Sequence, residues 1–567
     1  MPSHSSANYY FFFPSMKLIT ALTSAILWLW RLLCPKQKGN NQRNWSLVYI
    51  FGYTSDHFQL IFLVGLIIMY YLCMVKKQIV NKWDMSKLFI GRAKECRQLR
   101  EYIDSDQSEF VAVYGRRRVG KTFLIQQVIG KDFAFYVAGM HQVTMRLQLA
   151  NFMQGIPRKS PGDPEPKTWL DAFVALENYL QTLPEGKKIV FIDEMPWMDT
   201  PRSHFISGLE HFWNSWASWR DDIKLIVCGS ATSWIINNLI KNRGGLHNRV
   251  THKISLKPFT LAECREYFQA RGFRLSVRQI AECYMVLGGV PFYLSKMEKN
   301  QSVAQNVDRL LFADDGELHD EFQSLYNSLY KNAASHIKIV TALARKGRGL
   351  NRQEIIAQTG LSDNGKFSMM LEELESCGFV RSYEPYVQQA SARRRANAGR
   401  KSPDTLFQLV DPFTLFHFQV MLKADAHAPN YWSSNQNSHI YSTWSGLAFE
   451  MLCLNHAEQV KRALGISGIV ANVFAWCGTD GNQSAQIDML IDRADRAINI
   501  CEMKFYQHPY AMTATDEENI ERKIATFIAA TGTDKNVILT MITAKGLIQN
   551  EYSECVQRQL TLDELFC

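Results

Sequence analysis

Apolar residues in the middle of the chain come in short unbroken runs rather than in alternation. Glu109-Phe-Val-Ala-Val-Tyr114, Lys188-Ile-Val-Phe-Ile-Asp193 and Lys224-Leu-Ile-Val-Cys-Gly229 each hold at least four consecutive apolar residues. Such runs predict strands buried on both faces, the habit of a parallel sheet. Phe123-Leu-Ile-Gln-Gln-Val-Ile129, soon after the first run, has helical spacing, as do Leu99 and Tyr102 before it. Residues 261–300 read as helical and are interrupted at Leu287-Gly-Gly-Val-Pro291, where glycines and proline predict a turn.

Farther on, three helices are predicted: Ile337 to Arg345, Asn351 to Thr359 with Asn351 as cap, and Lys366 to Cys377 with Met369, Met370 and Leu374 on the buried face. Gly378 to Tyr383 follows as a strand. Trp444 to Leu454 reads as a helix, and Gln486–Ile491 and Ala497–Lys504 as two strands folded into a hairpin by Asp492–Arg496.

The first 84 residues differ from the rest. Phe58 to Val75 is an 18-residue stretch with one strongly polar residue, Gln59, followed by Lys76, Lys77 and Lys82. Two readings fit. One is a single membrane span whose basic flank faces the cytoplasm, which anchors a cytoplasmic protein to the inner face of the membrane. The other is a misplaced start, the natural one being Met85. Residues 1–84 hold eight Lys/Arg and two Asp/Glu, leaving +3 of the total charge of +9 for the rest, so global charge does not identify a partner. A length of 567 residues with 47% hydrophobic and 21% charged excludes a disordered chain and suggests three to four domains. The twelve cysteines show no metal-type spacing and read as reduced thiols.

The chemistry begins between the first strand and its helix, at Gly115-Arg116-Arg117-Arg118-Val119-Gly120-Lys121-Thr122. A loop of this pattern in strand–loop–helix context cradles phosphates with its backbone N–H groups and the helix N-terminus. Lys121 reaches the β- and γ-phosphates, and the Thr122 hydroxyl is a Mg²⁺ ligand. Asp193, ending the second strand, is expected to hold Mg²⁺, and Glu194 to orient the attacking water. Ser230 or Thr232, after the third strand, is expected to sense the γ-phosphate. Arg249 is the candidate for stabilising charge there, in cis or from a neighbouring subunit of a homo-oligomer. Asn81-Lys-Trp-Asp84 spells a guanine-reading motif on the wrong side of the loop, so ATP is the expected nucleotide.

Phe89–Glu95, Gly115–Thr122, Val190–Glu194, Cys228–Thr232, Arg249 with Leu256–Phe259, and Gly288–Leu294 resemble, in order, the archaeal-type ATPase family, P-loop NTPases related to AAA+ and STAND proteins. The resemblance implies ATP binding, an ATPase core over 86–255 and a helical lid over 256–330. The helix and strand order over 331–425 is that of a winged helix, with a basic loop from Arg393 to Lys401 in the wing. That placement suggests DNA contact, although Glu372, Glu373 and Glu375 on its third helix oppose it.

In the last segment, 435–567, Glu450, Asp488, Glu502 and Lys504 resemble the restriction-endonuclease-like PD-(D/E)XK fold. The resemblance implies Mg²⁺ at Asp488 and Glu502, a water positioned by Lys504, and support from Glu450. The expected protein is an ATP-driven switch or motor governing a nuclease-like domain in DNA processing or defence. The alternative is a membrane-tethered signalling or scaffold ATPase whose last domain binds a partner without cleavage.

Overall fold

The computed structural model describes residues 90–567 apart from 131, 158–164, 243, 331, 346, 348, 385, 387–404, 425–429 and 482. The candidate span 58–75, the 81–84 motif and the basic loop 393–401 lie outside the described residues. Among the described residues no helix is long and apolar enough to cross a membrane.

After helix α1 (Ala93–Asp104) come β1 (Glu109–Tyr114), α2 (Lys121–Ile129), β2 (Phe135–Ala138), β3 (Lys188–Asp193), β4 (Ile223–Gly229) and β5 (His252–Ser255). They form one parallel sheet in the order β2-β3-β4-β1-β5. The unbroken apolar runs are explained by helices on both faces. Phe110 and Ala112 pack with Phe152, Trp169 and Phe173 on one side, and Val111 and Val113 with Leu99, Leu124 and Ile125 on the other. Because β4 enters between β1 and β3, Ser230 emerges beside both the loop after β1 and the acids that end β3.

The helical continuation includes α3 (Leu261–Ala270), α4 (Val277–Leu287) and α5 (Glu321–Leu329). Thr260 with Glu263 and Ser276 with Gln279 form capping boxes that fix the starts of α3 and α4. Next come α6 (Ala333–Leu343), β6 (Leu350–Asn351), α7 (Arg352–Thr359), α8 (Gly365–Ser376), β7 (Val380–Tyr383) and β8 (Leu406–Leu409), with the strands antiparallel in the order β6-β8-β7. Asn351 caps α7 as its sequence indicates. The phase of α8 differs from expectation. Asn364 caps it and turns Phe367, Leu371 and Leu374 inward, leaving Met369 half exposed.

Helix α9 (Pro412–Gln419) is buried from Pro412 through Phe416 and leads to α10 (His439–Asn455). The last sheet comprises β9 (Ala471–Thr479), β10 (Ser484–Arg493), β11 (Ala497–Lys504), β13 (Asn536–Thr543) and β15 (Arg558–Thr561), ordered β15-β13-β11-β10-β9. The short β12 (Tyr510–Ala511) and β14 (Leu547–Ile548) pair separately. Strands β9, β10 and β11 are antiparallel, and β11, β13 and β15 parallel. Helix α11 (Ala514–Thr531) presses Phe527 onto Trp476, Leu490 and Ile500. Met489, Cys501 and Met503 join the core that contains α10. One continuous core runs from the lid helices through α9 to this sheet, so the segments 256–330, 331–425 and 435–567 share their interior.

One rivet in that core is pH-sensitive. His456 Nε2 accepts a hydrogen bond from the backbone N–H of Leu261 (3.0 Å), while Nδ1 lies 2.9 Å from the Leu452 carbonyl. The imidazole is therefore neutral with its proton on Nδ1, and burial lowers its pKa to about 4. With the folded value below the ordinary 6.5, its stabilisation is complete above about pH 6.5 and is lost as pH falls toward 4. At most this amounts to about 3 kcal/mol. Thermal melts from pH 7 to 4 are expected to show a smaller acid loss in His456→Gln than in the wild type. Parallel curves for the two proteins would contradict this role.

Candidate active site

The loop after β1 is shaped by two glycines. Gly115 has φ 147°, and a Cβ there would overlap the Leu256 carbonyl oxygen; Gly120 has φ 90° and caps α2. Val119 is buried beneath the loop. Lys121, itself buried, donates from Nζ to the carbonyls of Gly115 and Arg116, both at 3.0 Å. The Thr122 hydroxyl donates to Asp193 Oδ2 at 2.9 Å. Asp193 Oδ1 accepts from the Glu194 N–H (2.9 Å) and from the Cys228 thiol (2.6 Å). Thr122 and Asp193 thus fit a Mg²⁺ ion: a hydroxyl and a carboxylate, already in contact, lie at the start of the helix that faces the phosphates.

Glu194 sits in the left-handed region (φ 44°), which turns its side chain toward β4. Its Oε2 accepts from the Ser230 N–H (3.0 Å) and hydroxyl (2.9 Å). Of the two sensor candidates, Ser230 is therefore the one in the site. Thr232 is buried at the start of the next helix.

One expected contact falls elsewhere. Arg249 is exposed in the turn before β5. Thr251, two residues on, donates to the carbonyl of Phe110 at the start of β1, whereas the phosphate loop leaves β1 at its far end. The two ends are separated by roughly 16 Å of strand, so the structure does not bring Arg249 to its own subunit's loop. The side chains of Arg116 and Arg118 turn away from the loop to other partners. Their backbone lines the loop, but the Arg116 guanidinium forms a buried ion pair with Asp411. Arg118 pairs with Glu321 (2.8 Å) and lies 4.2 Å from the Phe292 ring centroid. Glu321 is itself held by the Tyr293 hydroxyl at 2.7 Å. The turn at Arg92 packs on the lid: Arg92 N–H donates to Glu263 (3.1 Å) and its guanidinium lies over Phe259.

The second cluster lies on β10 and β11. Their register pairs Met489 with Cys501, so Asp488 and Glu502 directly follow the last pair of the ladder on the two strands. The pairing of β10 with β9 shifts by one residue between Ile487 and Leu490, an irregularity that takes in Asp488 and Met489 and is of the kind that re-aims a side chain. Lys504 follows Glu502 on the same face. Gln486 donates to Asp488, and Lys523 of α11 forms an ion pair with Glu502. Burial first, then the charge of Glu502, raises the Asp488 pKa, against the hydrogen bond from Gln486 and the lysines. Burial, with the charges of Asp488 and Glu502, raises Glu450 to about 8. Glu450 approaches from α10. It lines a cavity of about 20 Å³ with Gly347, Gln408 and Leu447, room for about one water. Among the described residues no three His, Cys, Asp or Glu side chains converge closely enough to hold a metal ion. Asp488 and Glu502 supply the acidic pair, and the like charge that adds to burial in raising Asp488 and Glu450 is one a bound cation would offset.

Residues 89–297 match a family model described as an ATPase domain predominantly from Archaea. This segment is a P-loop ATPase domain. Over 338 residues the chain is 24% identical to the uncharacterized protein MJECL04 of Methanocaldococcus jannaschii, covering 59% of this chain and 68% of that one. It is also similar to the Walker-type ATPase PABY2304 of Pyrococcus abyssi, at 17% identity and a TM-score of 0.40 over 59% of this chain and 96% of that one. ORC2 of Aeropyrum pernix, in ADPNP-ADP complexes, overlaps 65% of this chain and 97% of its own at 14% identity and a TM-score of 0.28.

The P-loop ATPase domain and the C-terminal half hold contacts that sequence reasoning missed. Cys228 reads as one more apolar strand residue, yet its thiol meets Asp193. Asp411 carries a visible capping signal, since Pro412 follows at the first helical position, but nothing in that signal points to Arg116. No sequence feature marks Lys523. Lys121→Ala is expected to abolish ATP binding. Glu194→Gln is expected to keep binding while hydrolysis falls by about a hundredfold or more. Titration with a fluorescent ATP analogue and phosphate release measure the two effects, and wild-type values in either variant would contradict these roles.

Proposed function

We propose that the protein is an ATP-hydrolysing switch whose nucleotide state governs a Mg²⁺-dependent nuclease-like site acting on DNA. The observation that carries this reading is the placement of Asp488, Glu502 and Lys504 on one strand pair, at an irregularity of the β9 pairing, within electrostatic reach of Glu450. The element order supports it: α10, the antiparallel β9-β10-β11, α11, then β13 parallel to β11, which is the order of restriction-endonuclease-like folds. The order of α6 to β8 likewise supports a winged helix. We assign its role to joining the two sites, because Glu373 and Glu375 of its third helix are engaged with His336 and Ser382 and add negative charge where phosphates would approach.

On the ATPase side, Lys121 would leave the loop carbonyls for the β- and γ-phosphates, and Thr122 and Asp193 would hold Mg²⁺. Ser230 exchanges Glu194 for the γ-phosphate, which frees Glu194 to orient water. Arg249, exposed at the opposite end of the sheet, serves only a neighbouring subunit's nucleotide, so this role requires a homo-oligomer. On the nuclease side, Mg²⁺ at Asp488 and Glu502 would stabilise charge on the scissile phosphate. Lys504 would position the water, and Glu450 would support the metal or the water.

A second reading, a signalling or scaffold ATPase whose last domain binds a partner without cleavage, is favoured by one observation: Glu502 is already paired with Lys523. Incubation of the full chain with linear and single-stranded DNA, with Mg²⁺ and with or without ATP, separates the two. The nuclease reading predicts cleavage that Asp488→Ala or Lys504→Ala reduces by about a hundredfold or more. Cleavage unchanged in both variants, or none by the wild type, would leave the scaffold reading standing.

A further inference from the structure

The Arg116–Asp411 pair joins the phosphate loop to a residue well beyond the matched ATPase segment, which ends at 297. Arg116 is 4% exposed and Asp411 1%. One Asp411 oxygen takes the guanidinium. The other accepts from Thr414, from its N–H at 3.0 Å and its hydroxyl at 2.6 Å, and so caps α9. Phe379, from the segment after α8, covers the guanidinium face at 5.0 Å. The Gly288 turn of the lid abuts Pro412. Phosphate loop, lid and α9 therefore meet at one carboxylate.

This pair is a costly way to fill space. Buried ion pairs commonly contribute no more stability than apolar side chains of the same volume. Here Arg116 keeps buried N–H groups on Nε and Nη2 that no described residue accepts. What the pair supplies is position. The loop between Gly115 and Gly120 lacks the ladder of a helix or strand, so side-chain anchors set its course. The backbone it anchors is the one that matters, because the carbonyls of Gly115 and Arg116 receive the Lys121 ammonium.

We propose that Asp411 is a positioning residue of the ATP site: through Arg116 it sets the phosphate loop and the resting place of Lys121, so ATP affinity depends on the seating of α9. Asp411 touches no nucleotide. Its effect passes from carboxylate to guanidinium, from the Arg116 backbone to Lys121, and from Lys121 to phosphate. Nucleotide binding and the docking of the C-terminal half are on this basis linked reciprocally: whatever unseats α9 weakens ATP binding, and bound ATP favours the seated helix.

Asp411→Asn tests this in the full chain: the amide oxygen still caps the helix, while the NH2 stands where Arg116 had a carboxylate oxygen, so the charge and the acceptor facing Arg116 are lost. A misplaced loop weakens ground-state and transition-state binding of the phosphates alike, which raises KM and leaves kcat in place. A merely destabilised protein shows the reverse, a lower apparent kcat at unchanged KM. We expect KM for ATP to rise about tenfold or more with kcat within about twofold. An unchanged KM overturns the proposal. If the single variant does not fold, Arg116→Met with Asp411→Asn removes both charges and leaves none unpaired. A raised KM in that protein supports the proposal, and a wild-type KM overturns it.

Discussion

A charge taken out of water has to be met by an opposite charge, and for the Arg116 guanidinium that partner is Asp411. Breaking such a pair strands a buried charge, at a cost of about 3–5 kcal/mol. The elements that carry the two residues are therefore held in one arrangement. Asp411 starts α9, α9 packs Phe416 against Trp444 of α10, and Tyr326 of α5 meets Thr414 in the first turn of α9. Arg118 adds a second tie, to Glu321 at the start of α5. Two of the three arginines in the phosphate loop thus serve the surrounding structure, and the loop's glycines and Lys121 are left to serve the phosphates.

The same contacts lead toward the second cluster. Helix α10 carries Glu450, which feels the charges of Asp488 and Glu502. From the lid, Arg278 of α4 lies 4.2 Å from the Phe505 ring centroid and donates to the Tyr506 carbonyl at 2.6 Å, in the residues that directly follow Lys504. Phosphate loop and lid therefore each reach the C-terminal site through packed, hydrogen-bonded elements. That continuity is the route along which the proposed switch would act, between two arrangements that both sites bias.

The ATPase core was legible because its signals are local. Unbroken apolar runs mark strands covered on both faces, and the loop pattern, Asp193 and Glu194 sit where strand ends place them. The hairpin bearing Asp488 and Glu502 was legible for the same reason, since register follows from turn length and alternation. What sequence could not give were partners distant along the chain. Arg249 was placed by analogy of order, but Thr251 pairs with the start of β1 and leaves it at the other end of the sheet. Met369 was given to the core because it is apolar, whereas the cap at Asn364 sets a phase that buries Phe367, Leu371 and Leu374. Asp411 caps α9, and only the fold shows which charge it faces.

The central claim is that the nucleotide site and the C-terminal half form one responsive unit. Hydrogen–deuterium exchange of the full chain, with and without a non-hydrolysable ATP analogue and Mg²⁺, tests it most directly. The account predicts slower exchange at the phosphate loop together with changed exchange across 411–419, 439–455 and the residues after Lys504. Protection confined to residues 90–300, with the C-terminal peptides unaltered at saturating nucleotide, would contradict it.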